Sequence, residues 1–148
     1  GKKINNEITE VSELISSASL IAVSNFEKTG LMDEELFIDG VDHEWCWRAS
    51  SRMNGRFFIV ETVKLSHYLG EGDRYFLWRK VPIPTPFRTY YQFRNYFTLL
   101  RRNYVPTYWK VSNGIKYVVK LFYYPLCISP RLSYLKNICK GIYDGILG

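Results

Sequence analysis

The sequence predicts an α/β fold followed by a mostly helical extension, and three observations carry that prediction. Short β-rich runs alternate with helical patterns over the first half of the 148-residue chain. Three amphipathic helical patterns then follow one another, set apart by Pro106 and Pro130. Between the two parts the composition changes: residues 68–86 hold Gly70, Gly72 and prolines at 82, 84 and 86, which rule out a long helix there. The boundary falls in this stretch, giving an α/β part, residues 1–78, and a helical part, residues 79–148.

Residues 2–12 are polar and read as a loop. Residues 14–23 (LISSASLIAV) are small and apolar, and Leu20, Ile21 and Val23 suggest a buried strand. Residues 24–29 read as a short helix, capped by Ser24 and stopped by Gly30. An acidic loop, 33–39, leads into a stronger helix over 42–53 that Asn54-Gly55 terminates. Residues 56–60 and 63–66 form two short strands joined at Glu61-Thr62. In the second part, Tyr90, Phe93, Phe97, Leu100 and Tyr104 make the first helical stripe. Val111, Ile115, Val118 and Phe122 make the second, and Leu135, Ile138, Ile142 and Ile146 the third.

Composition narrows the function. With 47% hydrophobic and 23% charged residues the chain is globular, not disordered. Its 12 Tyr and 4 Trp are amphipathic rings, suited to carbohydrate surfaces, protein interfaces and membrane boundaries. Charge is uneven. From Arg79 onward 12 Lys and Arg face one acid, Asp144, for +11, while residues 1–78 carry −5. Such asymmetry points to a basic module that meets an anionic partner. Cys46, Cys127 and Cys139 are odd in number and widely spaced, which disfavours a disulfide framework or a zinc site. The most apolar stretch, 117–128, is broken by Lys120 and Pro125 and falls short of the ~20 apolar residues of a spanning helix.

The most informative segment is residues 36–48, LFIDGVDHEWCWR. On a helix, Asp42, Trp45, Cys46, Ala49 and Met53 share one face, while Glu44 and Arg48 make an i,i+4 ion pair on another. Asp42 at the helix N-terminus has two readings. It is an N-cap ahead of core residues Trp45, Cys46 and Ala49. Alternatively, free amides and the helix dipole keep it ionised as a general base that takes a proton from a hydroxyl.

The wider pattern ISSASLIAVSNFEKTGLMDEELFIDGVDHEWCWR resembles the acceptor-side half of family 2, GT-A-fold glycosyltransferases, in particular their rhamnosyltransferase branch. The matching features are residues 17–23, the G-x-x-D-E-x-L-F loop at 30–37, and the D-x-E-W-C-x-R helix at 42–48. The resemblance continues to Ser66-His67-Tyr68-Leu69-Gly70 and to Tyr90, Tyr91, Arg94 and Asn95. It implies the C-terminal portion of a GT-A fold, followed by the helical extension. By the same resemblance Asp42 is the catalytic base of an inverting transfer, and Trp45, Asp39 and His43 line the acceptor site. Glu44 and Arg48 give structural support, and His67 contacts a metal or pyrophosphate. Val41 stands where many relatives carry Glu, which removes an acidic neighbour of the base.

The resemblance further implies a nucleotide-sugar donor, dTDP-rhamnose, and a glycan or polyprenyl-linked acceptor at a bacterial cell surface. A divalent metal, Mg²⁺ or Mn²⁺, would be bound mainly by an N-terminal half with a D-x-D motif, which this chain does not contain. The chain therefore reads as a fragment, expected to be inactive in isolation. The expected location is cytoplasmic and peripheral on the inner face of the membrane. Aromatics of the basic helices would sit at headgroup level, and Arg88, Arg94, Arg101 and Arg102 would contact anionic lipid or pyrophosphate. Helical packing with solvated charges is the plainer account of the same helices. Other readings are transfer of galactose, glucose or GlcNAc, a scaffold subunit, or a basic aromatic module for single-stranded nucleic acid. The acidic first half argues against nucleic acid, and none is expected.

Overall fold

The computed structural model describes residues 1–66, the backbone of 73–76 and 79–82, and residues 83–148. The chain is a mixed α/β protein, mostly helical, with a small three-stranded sheet. It divides into two compact units, Gly1–Leu65 with Leu99–Lys110, and Ser66–Thr98 with Val111–Gly148.

In the first unit the sheet has strand order β1 (Lys2–Lys3), β2 (Ile8–Val11), β3 (Phe57–Val60), all antiparallel. The polar stretch expected as a loop is thus a hairpin. Asn5 explains the turn, because its Oδ1 accepts from the amides of Glu7 at 2.9 Å and Ile8 at 2.7 Å. What makes β2 a strand is its distant partner: Ile8 pairs with Val60 and Val11 with Phe57. β3 lies within the strand expected at 56–60. The companion strand at 63–66 does not form; Val63 turns back to bond the Val60 carbonyl, and Val63 and Leu65 are exposed.

The strand expected at 14–23 does not form either. Ser19 bonds back to Ser16 in a turn, Ala18 has a φ of 61°, and Leu20 and Val23 are fully exposed or nearly so. An apolar run with no strand to pair with has unsatisfied amides, so only Leu14 and Ile21 turn inward. Helix α1 (Val23–Thr29) begins one residue earlier than expected, with no side-chain cap, and Gly30 ends it. A single 3-10 turn, Glu34–Leu36, is capped by Asp33, whose carboxylate accepts from the Glu35 amide at 3.0 Å.

Helix α2 (Val41–Met53) is the axis of the first unit. Trp45, Cys46 and Ala49 pack with Leu14, Ile21, Phe26, Met32 and Phe57. Trp47 packs instead with Leu36, Leu99, Val105 and Trp109. Its N-cap is Gly40, so Asp42 lies in the first turn and not at the cap.

The second unit holds a hairpin of β4 (Asp73–Phe76) and β5 (Arg79–Pro82), with Asp73 opposite Pro82. Three helices follow where the stripes predict them: α3 (Pro86–Leu100), α4 (Thr107–Cys127) and α5 (Arg131–Leu147). The stripes differ from expectation in detail. α3 ends before Tyr104, and α4 runs through Pro125, which has no N–H to donate to the Leu121 carbonyl. The core of this unit is Phe93, Tyr124, Ile128, Tyr134 and Ile138. Buried phenols carry polar atoms inward, and each needs a partner. Tyr134 donates to the Pro84 carbonyl at 2.9 Å, and Tyr90 donates to Asp144 at 2.7 Å. α5 lies close on α3 because Gly141 and Gly145 have no side chain. A Cβ on either would come within 2.5 Å of the Tyr90 carbonyl oxygen or 2.8 Å of that of Arg94.

Candidate active site at the head of helix α2

Helix α2 begins where it does because of Gly40. Its φ of 87° and ψ of −2° are left-handed, a conformation that costs an ordinary residue about 1–2 kcal/mol. The Gly40 carbonyl then accepts the first helical bond, from Glu44 at 2.9 Å. This start places Asp42 and Glu44 in the first turn, where free amides and the macrodipole favour carboxylates. The two carboxylates have different surroundings. Asp42 is half-buried, whereas Glu44 is 0% exposed.

A buried carboxylate is tolerated only when donors surround it. Glu44 has four. Arg48 grips it with Nε at 2.9 Å and Nη2 at 3.0 Å, as the i,i+4 spacing predicts. Arg102 Nη1 lies 2.9 Å from the same carboxylate, and the Tyr104 hydroxyl donates to it. Arg102 also bonds Asp33, so that residue ties the 3-10 turn to the cluster. Burial works against the Arg102 charge, but the bond to Asp33 and the nearby Glu44 hold its pKa above the ordinary value. Burial, then the bond to Glu44, raise the Tyr104 phenol.

The same helix holds the end of α1. Thr29, Gly30 and Leu31 present three consecutive carbonyls to it. Arg48 donates to Thr29 at 2.9 Å and to Leu31 at 2.8 Å, Arg52 to Thr29 at 2.8 Å, and Trp45 Nε1 to Gly30 at 2.9 Å. These bonds satisfy carbonyls that a helix end leaves open.

The residues expected at the site fall into two groups. Asp42, Asp39 and His43 are half-buried around the start of the helix. His43 Nδ1 lies 3.4 Å from Glu13 Oε2, short of hydrogen-bond geometry, and its ring stacks on Trp47 at 5.9 Å. Trp45 is in the core, 3% exposed, with Phe26 at 5.2 Å; its indole packs and ties down Gly30. Cys46 reports the local charge: burial raises its thiol pKa, and the carboxylates of Glu13, Asp42 and Glu44 raise it further against a bond from Leu14. Of the four arginines expected to meet anions, Arg102 is committed to Asp33 and Glu44. Arg94 lies over the Tyr91 ring at 4.9 Å and bonds Asn95, while Arg88 and Arg101 are exposed. His67 lies outside the described residues. Among the described residues no three His, Cys, Asp or Glu side chains gather where they could hold a metal ion.

Sequence reasoning does not single out Glu13, Asp33 as a partner of Arg102, or Tyr104 as a donor to Glu44. It also misses an open groove of about 530 Å³ in the first unit, lined by Trp47, Tyr104, Tyr108, Ser50, Ser51 and Arg56 among others. Its volume is that of a small-ligand cleft, about 300–1,000 Å³. Trp47 Nε1 is buried without a hydrogen-bond partner. The clue available in the sequence was the doubled Trp of residues 45–47, whose two rings had to face different surroundings on one helix.

No protein-family model matches the chain, and no solved structure matches it. The chain is 36% identical over 137 residues, 90% of its length, to dTDP-rhamnosyl transferase RfbF of Shigella flexneri, and it spans 45% of the length of that relative.

Proposed function

We propose that this chain is the acceptor-side part of an inverting, GT-A-fold rhamnosyltransferase of family 2, acting on a bacterial cell-surface polysaccharide such as an O-antigen. The observation that carries this reading is the 36% identity to a dTDP-rhamnosyl transferase along 90% of the chain. The donor in this reading is dTDP-rhamnose. Asp42 takes the proton of an acceptor hydroxyl as that oxygen bonds the anomeric carbon, and dTDP leaves with the electrons of the broken C–O bond. A half-buried carboxylate in the first turn of α2 suits that role, because it is partly open to solvent and lies at the helix end that favours an acidic side chain. Glu44 does not share the role; its lone pairs are taken by Arg48, Arg102 and Tyr104.

Asp39 and His43, half-buried like Asp42 around the start of α2, are assigned to the acceptor side. A required Mg²⁺ or Mn²⁺ is assigned mainly to an N-terminal half with a D-x-D motif, with His67 as a further contact. The exposed Arg88 and Arg101 are assigned to anionic groups of a polyprenyl-linked acceptor or of an anionic membrane surface on the cytoplasmic side. The test is transfer by the full-length protein, comparing wild type with Asp42→Asn across several nucleotide-sugars. Loss of about 10²–10⁴-fold in kcat with dTDP-rhamnose, at unchanged stability, supports the reading. Full activity of Asp42→Asn removes the base, and turnover of a different donor alone removes rhamnose.

A further inference from the structure

We infer that the outward faces of α4 and α5 dock this protein on an anionic lipid bilayer. The inference rests on the membrane-surface reading above and deepens it by naming the docking surface. α4 turns Tyr117, Leu121 and Tyr124 inward, toward the core of the second unit. The stripe read from the sequence lies elsewhere. Val111, Ile115, Val118, Val119, Phe122 and Leu126 are each 54% to 67% exposed. At 100° per residue they fall within an arc of about 100° on one side of the helix. α5 repeats the arrangement: Ile138, Gly141 and Gly145 are buried, while Leu132, Leu135, Tyr143 and Ile146 are 42% to 81% exposed within an arc of about 80°. Scattered exposed apolar residues need no explanation, but a contiguous stripe on each of two successive helices does.

Charge decides the occupant. α4 and α5 together carry Lys110, Lys116, Lys120, Arg131, Lys136 and Lys140 against one acid, Asp144, which accepts the Tyr90 hydroxyl bond. Lys116 borders the apolar arc of α4, and Lys136 and Lys140 border that of α5; all three are exposed. A second copy would set these lysines against its own. A nucleic acid would engage the lysines and leave the stripes in water. An anionic bilayer satisfies both, with apolar side chains below the headgroups and ammonium groups among them. Among the described residues no helix is long and apolar enough to cross a membrane, so this association lies in the interface plane.

The experiment is flotation of the full-length protein with vesicles of phosphatidylcholine, alone or with phosphatidylglycerol. Wild type is expected to float with the anionic vesicles, less so at high salt. Val118→Asp and Phe122→Asp, whose side chains do not pack in the core, are expected to lower partitioning about ten-fold or more at unchanged circular dichroism. Lys116→Glu combined with Lys136→Glu is expected to remove the preference for anionic lipid. Wild type that stays unbound, or apolar-face variants that float like wild type, overturn the inference. So does a wild-type dimer that Phe122→Asp converts to monomer without changing flotation. Transfer to a water-soluble acceptor in detergent separates the two readings. Flotation without transfer leaves docking standing and removes the transferase reading, and transfer without flotation does the reverse.

Discussion

The two units solve opposite problems. The first carries net negative charge in its sequence and takes charged groups inside: Glu44 is fully buried among Arg48, Arg102 and Tyr104. The second is strongly basic, builds its core from Phe93 and tyrosines, and leaves apolar side chains of α4 and α5 outside. A buried ionic cluster fixes positions at a cost in desolvation, since each partner must be held where its bonds are made. An outward apolar stripe fixes nothing within the fold and is available to a surface. The comparison therefore separates a unit organised around a buried ionic cluster from one that leaves an apolar stripe exposed.

The largest effect should come from breaking the first unit's cluster. Glu44→Ala leaves Arg48 and Arg102 without their shared anion, and urea unfolding should show a loss of about 3–5 kcal/mol. An effect below about 1 kcal/mol would mean that the cluster is ornamental and the contrast between units false. In the second unit, Gly141→Ala drives a methyl against the Tyr90 carbonyl and should cost about 1–3 kcal/mol by the same measurement.

The tyrosine core also predicts an alkaline limit. Burial, with help from Tyr134 and Tyr123, pushes the Tyr124 phenol up to about 12. A folded-state pKa raised above the ordinary phenol value of about 10 favours the neutral form, so this stability is fully present below about pH 10. It is lost as pH rises through about 12, and tyrosinate absorbance and helical dichroism should change together there. Tyr124→Phe should move that transition. The smallest stability effect belongs to Phe122→Asp: about 0.5 kcal/mol or less, because that side chain is 62% exposed. A large loss would place the α4 stripe in a packing role and remove the contrast from the other side.

How legible each part was follows from where its partners lie. The three late helices were readable because the spacing of their apolar residues and the prolines between them are local. The Glu44–Arg48 pair was readable for the same reason, being four residues apart on one helix. The hairpin at residues 2–11 was not, since β2 becomes a strand by pairing with residues 57–60. The run at 14–23 looked like a strand by composition and found no partner. The N-cap reading of Asp42 fails because the side chain suits a cap, whereas Gly40 has the left-handed backbone that the preceding turn requires.

The sequence by itself determined the helical second half, the uneven charge, and the segment 36–48 that carries the likeness to rhamnosyltransferases. Those are properties of composition and short-range order. Tertiary structure alone decided that Glu44 is a buried anchor while Asp42 stays half-exposed, although both lie in the same helical turn. It also decided that Arg102 faces Asp33 and Glu44, and that the α4 stripe legible in the sequence faces outward. Periodicity tells that a helix has an apolar side. Which side meets the core depends on what the rest of the chain brings to it, and α4 has an apolar stripe on two.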